Sequence, residues 1–322
     1  REGDAMTATT WAGGSGAATG GPEVLAGGKL LLDHPAEAVA RLRIANPERR
    51  NALDHEILAA IAQALPRLDD GIATRCVLIT GTPPLFSAGY DIAEFTEDAF
   101  EDEAEALVAH PFQAAMEAIV AHPWPTVAAI NGLCLGGGLE LAVSCDLRIA
   151  AGAAALGMLP AKLGLVYGHT GLRRFLETLG LPRTREMFFT GRRLDAARAE
   201  EIGLVNEVVE DERIDEAGVS LATEIAASAP LSVRGNKRGI DVLAANPVLS
   251  DAQEEELVEL RRSCFGSADF REGITAFAEK RRPVWTGKGA RGRAARARPR
   301  ARAPSRPPET RQDPPRGARR RG

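Results

Sequence analysis

Apolar and polar residues alternate along AVARLRI (38–44), which is the period of a strand with one face inside. NPERRN follows as a loop. From Leu53 the period lengthens, and Ile57, Leu58, Ile61, Ala62, Leu65 and Leu68 recur at helical spacing. CVLIT (76–80) is a short apolar run ending at the turn GTPP, the pattern of a strand buried on both faces. LFSAGYDIAEF (85–95) reads as a small-residue loop entering a helix, and an acidic helical stretch follows it. TVAAI (126–130) predicts a second buried strand, NG a turn, and the glycines at 136–138 the start of a helix. DLRIA (146–150) is a third strand. Strand, glycine-bearing loop and helix repeat, so the chain predicts an α/β core of stacked strand–helix units. From about residue 213 the pattern turns to helices alone: RIDEAGVSLATEIAAS, then 230–245, 250–263 and 269–281. These cannot all cover one sheet and are candidates for packing against another subunit.

Composition narrows the class. Of the 322 residues 44% are apolar and 26% charged, a globular balance with room for a sizeable core. The net charge of −4 conceals an asymmetry: residues 287–322 hold twelve Arg and one Lys against Glu309 and Asp313, while the rest carries 27 basic and 42 acidic side chains. An Arg/Pro/Ala-rich tail lacks the apolar residues that would offset its ordering entropy, so 287–322 is expected to be disordered. WAGGSGAATGG (11–21) makes 1–22 a flexible lead-in, and Met6 rather than Arg1 is the expected natural start. The folded part is expected as a core over 23–212 and a helical oligomerisation region over 213–286.

Four cysteines (Cys76, Cys134, Cys145, Cys264) show no metal-ligand spacing, and buried reduced thiols in a cytoplasmic protein are the expectation. The most apolar stretch, 126–145, is broken by Asn131, the glycines and Glu140, so no membrane span is expected. Residues 1–22 lack the layout of a signal peptide.

LCLGGGLELAVSCD (133–146) carries the first hint of chemistry. Three consecutive glycines weaken any regular element, by roughly 0.5–1 kcal/mol each against alanine, and are usual where a ligand approaches the backbone. Glu140 follows among Leu139, Leu141, Ala142 and Val143. A carboxylate there is paired, protonated or used; a tight turn leading into a core helix with one solvent-facing acid is the alternative.

Three ordered segments, LFSAGYDIAEF, VAAINGLCLGGGLELAVSCDLRIA and TGRRLDAARAEEIGLVNEVV, resemble the crotonase (enoyl-CoA hydratase/isomerase) superfamily, supported by RRNAL (49–53) and FREGITAFAEKRRP (270–283). The likeness spans roughly residues 36–286. It implies a spiral of ββα turns, a C-terminal helical trimerisation region, an acyl-CoA thioester substrate with coenzyme A as part of it and no separate cofactor, and a homotrimer or dimer of trimers. It also implies that the backbone N–H groups of Tyr90 and Gly137 form an oxyanion hole for a thioester enolate. One such donor is typically worth about 3–4 kcal/mol of barrier. Ala88, Gly89, Asp91 and Ile92 would cradle the substrate's CoA arm, and Lys280 would reach its phosphates from this or a neighbouring subunit; an ordinary exposed lysine is the alternative.

Hydratases of the superfamily use two glutamates. The first corresponds to Glu140, but the place of the second falls on Pro160, which offers neither acid nor base. MLPAKLGLVY (158–167) and the C-terminal segment resemble the methylmalonyl-CoA decarboxylase branch, with Tyr167 where that branch has a tyrosine. Loss of CO2 from a 2-carboxyacyl-CoA gives the same enolate without a second acid. In that reading Glu140 and Tyr167 are catalytic, and Leu159 and Pro160 line the substrate pocket. Tyr90 and Leu159 depart from the branch, which has histidine and threonine there. Tyr167 as a core aromatic is the alternative. Two further readings stay open: a hydratase/isomerase, and a crotonase-scaffold protein that binds nucleic acid or another polyanion through its tail, non-specifically and salt-sensitively.

Overall fold

The structure, a computed structural model, describes residues 21–91, 111–164, 166–246 and 248–287. The lead-in up to residue 20, the expected helix and acidic stretch at 92–110 and the tail from 288 lie outside the described residues, and Ile92 with them.

One sheet organises the chain. β1 (Glu23–Leu25), β2 (Leu30–Ala36) and β3 (Val39–Ile44) make an antiparallel edge. β3 then pairs in parallel with β4 (Cys76–Gly81), followed by β5 (Thr126–Ile130), β7 (Leu147–Ala151) and β10 (Glu207–Val209). A small second sheet joins β6 (Cys134–Leu135), β8 (Ala155–Gly157) and β9 (Leu194–Asp195). The parallel strands are apolar on both faces because both faces are covered. Successive side chains divide between two cores with the period of a strand. Ala40, Leu42, Ile44, Val77, Ile79, Ala128 and Ile130 enter the larger one; Val39, Cys76, Leu78, Val127, Ala129 and Ile149 enter the other.

The larger core is closed by α1 (His55–Arg67), α2 (Gln113–Val120) and α3 (Gly137–Ser144). α1 starts where the Asp54 carboxylate accepts the Ile57 N–H at 2.8 Å, a capping bond that fixes the helix start. After β8 come the single turn α4 (Pro160–Leu163) and the long α5 (His169–Thr190), which is broken at Gly180 (φ 67°) just before Pro182. α6 (Ala196–Glu201) then leads to β10. The sequence pattern does not announce α5.

The helices after residue 213 divide. α7 (Ile214–Ala226) lies on the sheet and closes the second core; Gly218 packs so closely that an added Cβ would stand 3.1 Å from Ala129 Cβ. α8 (Pro230–Ala245) is tied to the body by the buried Lys237, whose Nζ donates to Asp146 Oδ2 at 2.6 Å and to the Trp124 carbonyl at 3.1 Å. α9 (Asp251–Phe265) and α10 (Ala268–Glu279) follow and leave Phe265, Ile274 and Phe277 exposed. Within the helical region expected from residue 213, α7 therefore covers the sheet, and α8 to α10 follow it. Cys76, Cys134 and Cys145 are buried free thiols, as expected of all four cysteines, while Cys264 is only half-buried. No helix among the described residues is long and apolar enough to cross a membrane.

Candidate functional site

The loops that leave the carboxyl ends of β4 and β5 meet in front of α3. Phe86 and Ser87 donate their N–H groups to the Leu133 carbonyl at 3.1 and 3.0 Å, and Leu135 donates to the Ser87 carbonyl at 3.0 Å. On the far side of the same segment, Leu53 donates to the Gly89 carbonyl at 2.8 Å and accepts from the Asp91 N–H at 3.2 Å. These bonds flank Tyr90 and leave its own N–H pointing away from Leu53, as a parallel bridge requires. Gly89, at φ 106°, brings this segment against the head of α3: an added Cβ there would lie 3.3 Å from the Gly137 nitrogen. Gly137 is the first residue of α3, so its N–H has no carbonyl within the helix to bond. Among the described residues neither the Tyr90 nor the Gly137 N–H is taken up by an acceptor. Two free backbone donors thus stand beside each other at the positive end of a helix.

The three glycines have separate reasons to be there. Gly136 needs its φ of 51°, and Gly138 lies against Ser87, whose Cβ would be 2.7 Å from an added methyl. Gly137 lies under the rings of Tyr90 and Phe112, both 3.2 Å from its missing Cβ, whereas nothing stands within 4 Å of that of Gly136. Those rings pack edge to face, 4.4 Å between centroids.

Glu140 follows one turn later, 3 % exposed. Its Oε2 accepts the Tyr167 hydroxyl at 2.5 Å and its Oε1 accepts Arg174 Nη1 at 2.7 Å. Burial raises its pKa above the usual carboxylate value, opposed by the Tyr167 hydrogen bond and by Arg174. The Tyr90 hydroxyl interacts with that of Tyr167, and both phenols are pushed up, first by burial and then by the Glu140 charge. Arg148 holds the other end of α3, donating to the Cys145 carbonyl at 2.6 Å.

The structure brings Glu140, Tyr167, Tyr90 and Gly137 into one cluster, with Ala88 and Gly89 on the same loop. Glu140 is buried and paired rather than solvent-facing. Tyr167 is both a neighbour of Glu140 and part of the core packing, its ring 5.5 Å from that of Phe188. Asp91 is held by Arg49 through two contacts of 3.0 Å. Pro160 is buried at the first position of α4, where proline costs a helix least, and Leu159 precedes it half-buried. Lys280 stands apart, exposed at the left-handed C-terminal cap of α10. His169 is exposed at the start of α5.

Sequence reasoning missed Arg174 and Gly171. Arg174 looks like its exposed neighbour Arg173 in the sequence; only the helical phase, three residues after Gly171 and one before the buried Phe175, separates them. Gly171 lets α5 approach the site: an added Cβ would stand 2.7 Å from Glu140 Oε2.

The sequence pattern of the enoyl-CoA hydratase/isomerase family matches residues 34–288. The chain belongs to this family. Enoyl-CoA hydratase domain-containing protein 2, mitochondrial, of Mus musculus is 34% identical over 262 residues, 80% of this chain and 87% of the relative. Two crystal structures share the crotonase fold seen here. An enoyl-CoA hydratase/isomerase family protein from Hyphomonas neptunium has a TM-score of 0.74 and 38% identity, covering 80% of this chain and 97% of that one. An enoyl-CoA hydratase from Bacillus anthracis has a TM-score of 0.74 and 31% identity, covering 81% of this chain and 100% of its own.

Proposed function

We propose that this family member acts on an acyl-CoA thioester through an enolate, and that it decarboxylates a 2-carboxyacyl-CoA such as methylmalonyl-CoA. One observation carries the reading. Both oxygens of Glu140 are engaged, by Tyr167 and by Arg174, and among the described residues no second carboxylate acts on Glu140. Hydration needs groups that hold a water and manage both of its protons, and a single engaged acid serves that poorly. Decarboxylation needs less. The bond from C2 to the carboxylate breaks, its electron pair forms the thioester enolate, and CO2 leaves. The Tyr90 and Gly137 N–H groups would stabilise the enolate oxygen. C2 then takes one proton, passed from water through Glu140, and the saturated acyl-CoA is released. On substrate binding Tyr167 would shift its single O–H donor from Glu140 to the departing carboxylate and hold its bond across the thioester plane. Coenzyme A enters as part of the substrate, with Ala88, Gly89, Asp91 and Lys280 as candidates for holding it. The exposed Phe265, Ile274 and Phe277 suit burial in a homotrimer or a dimer of trimers.

A second reading is hydration or isomerisation of an enoyl-CoA. A buried carboxylate with a raised pKa, one turn from two free N–H donors, favours it, as do the names of the relatives. One assay separates the two. Incubation with methylmalonyl-, ethylmalonyl- and crotonyl-CoA should release CO2 from a carboxylated substrate and hydrate crotonyl-CoA slowly or not at all. Fast hydration without CO2 release would overturn the decarboxylase reading and leave the oxyanion hole in place.

A further inference from the structure

Arg174 reaches the Glu140 carboxylate from α5, and nothing in the sequence motifs assigns it a role. Its side chain is 13 % exposed, and its Nη1 is 2.7 Å from a carboxylate that is 3 % exposed. A carboxyl group enclosed this far takes up a proton unless an opposite charge and hydrogen-bond donors keep it ionised. The surroundings of Glu140 supply few such groups. α5 and the segment before it supply Arg174 and the Tyr167 hydroxyl, and the loop after β4 supplies the Tyr90 hydroxyl. From β7, Arg148 is committed to the carbonyls at the far end of α3; from β6 there is the thiol of Cys134. On α2, Glu117 is exposed and bonded to Gln113 at 2.7 Å. Arg174 is the one cation among the described residues that acts on the Glu140 carboxyl group.

We propose that Arg174 is the positioning residue of this site: it keeps Glu140 ionised and turned so that Oε2 receives the Tyr167 hydroxyl. Gly171 makes the arrangement possible, since a side chain at that position would occupy the space of the carboxylate. With Arg174 in place, Glu140 rests as an acceptor, able to take a proton and then give it up, and the Tyr167 proton is directed toward it. Without the guanidinium, the buried acid rests protonated and becomes a donor, and the Tyr167 hydroxyl is released from it. Arg174 need not touch the substrate to do this.

The inference rests on the reading of Glu140 as part of the reacting site, yet its test needs no substrate. Full-length protein labelled with 13C-glutamate is titrated by infrared spectroscopy, and the Glu140→Gln protein, titrated in parallel, is subtracted to isolate the Glu140 carboxyl band. In Arg174→Met the protonated band should persist to a pH at least about one unit higher than in the wild type, a tenfold gain in proton affinity. Arg174→Lys, which restores a charge, should titrate closer to the wild type than Arg174→Met does. If Arg174→Met does not fold by near-UV circular dichroism, Arg174→Gln removes the charge with a polar side chain and serves the same comparison. Coincident titrations of the wild type and the charge-removing variant, or a lysine variant that titrates like the neutral one, would overturn the proposal. A failed decarboxylase reading would instead appear as missing CO2 release, with the titrations unaffected.

Discussion

Gly171 and Glu140 sit so close across the α3–α5 contact that a methyl group on Gly171 would stand 2.7 Å from Oε2. The same methyl would meet Tyr167 Cε1 at 2.7 Å. The helix therefore accepts a weak helix former at this point to let a carboxylate and a phenol share the space beside it.

Gly171→Ala tests that relationship. In an unconstrained helix the change would stabilise by up to about 1 kcal/mol. Here the added methyl must displace two engaged side chains, and overpacking of this kind costs about 1–3 kcal/mol. Urea denaturation should show a net loss of stability, and acyl-CoA turnover should fall at least about tenfold. A variant that is more stable than the wild type and fully active would show that Glu140 moves aside freely.

Gly137→Pro removes one N–H donor at a helix position where proline is otherwise tolerated. Because the rings of Tyr90 and Phe112 lie 3.2 Å from the missing Cβ, Gly137→Ala is the control for crowding alone. Relative to that control, turnover should drop by at least about a hundredfold if the donor stabilises an enolate. Equal rates in the two folded variants would remove the Gly137 N–H from the mechanism.

Tyr167→Phe keeps the ring on Phe188 and deletes the donor to Glu140. A hydrogen bond to a charged group is worth about 1.5–3 kcal/mol, so CO2 release should slow by roughly ten- to a hundredfold. The pKa of Glu140, already above the usual range, should rise further, since one of the groups that lowers it is gone. The acid limb of the pH–rate profile should then move to higher pH. An unmoved limb and unchanged CO2 release would reduce Tyr167 to a core aromatic.

His122 gives the fold a pH dependence away from the site. It is 3 % exposed, its Nε2 has no partner among the described residues, and burial together with Lys237 lowers its pKa from 6.5 to about 4. A depressed folded value means that its contribution to stability is complete above about pH 6.5 and is lost as the pH falls through about 4. The shift corresponds to roughly 3 kcal/mol. Urea midpoints measured between pH 7 and pH 4 should fall less steeply in His122→Phe than in the wild type. Parallel curves would place the acid sensitivity elsewhere.

Much of the fold was legible because its causes are local. CVLIT and TVAAI announced buried parallel strands, since a strand covered on both faces has no polar side to show. The helices expected at 230–245 and 250–263 followed from periodicity alone and are found at Pro230–Ala245 and Asp251–Phe265. α5 was not legible: its hydrophobic residues are interrupted by Gly171, Gly180 and Pro182, and the reasons for Gly171 and for the break at Gly180 lie in tertiary contacts and in backbone conformation. The helical region from 213 was read as one unit because periodicity reports that a face is covered but not by what. α7 proved to cover the sheet.

For the site, the sequence by itself determined which residue types are present: three glycines ahead of a carboxylate in an apolar run, a small-residue loop around Tyr90, and Pro160, which stands, by the resemblance, where hydratases have a second acid. Those are properties of single positions along the chain. Only the tertiary structure decided the state of the acid. Arg174 reaches Glu140 across 34 positions in the sequence and Tyr167 across 27, and no local pattern encodes a contact at that separation. The electrostatics of a buried carboxylate depend on which charge and which donors the fold sets against it and on how much water it excludes. Both are set by how α5 packs on α3.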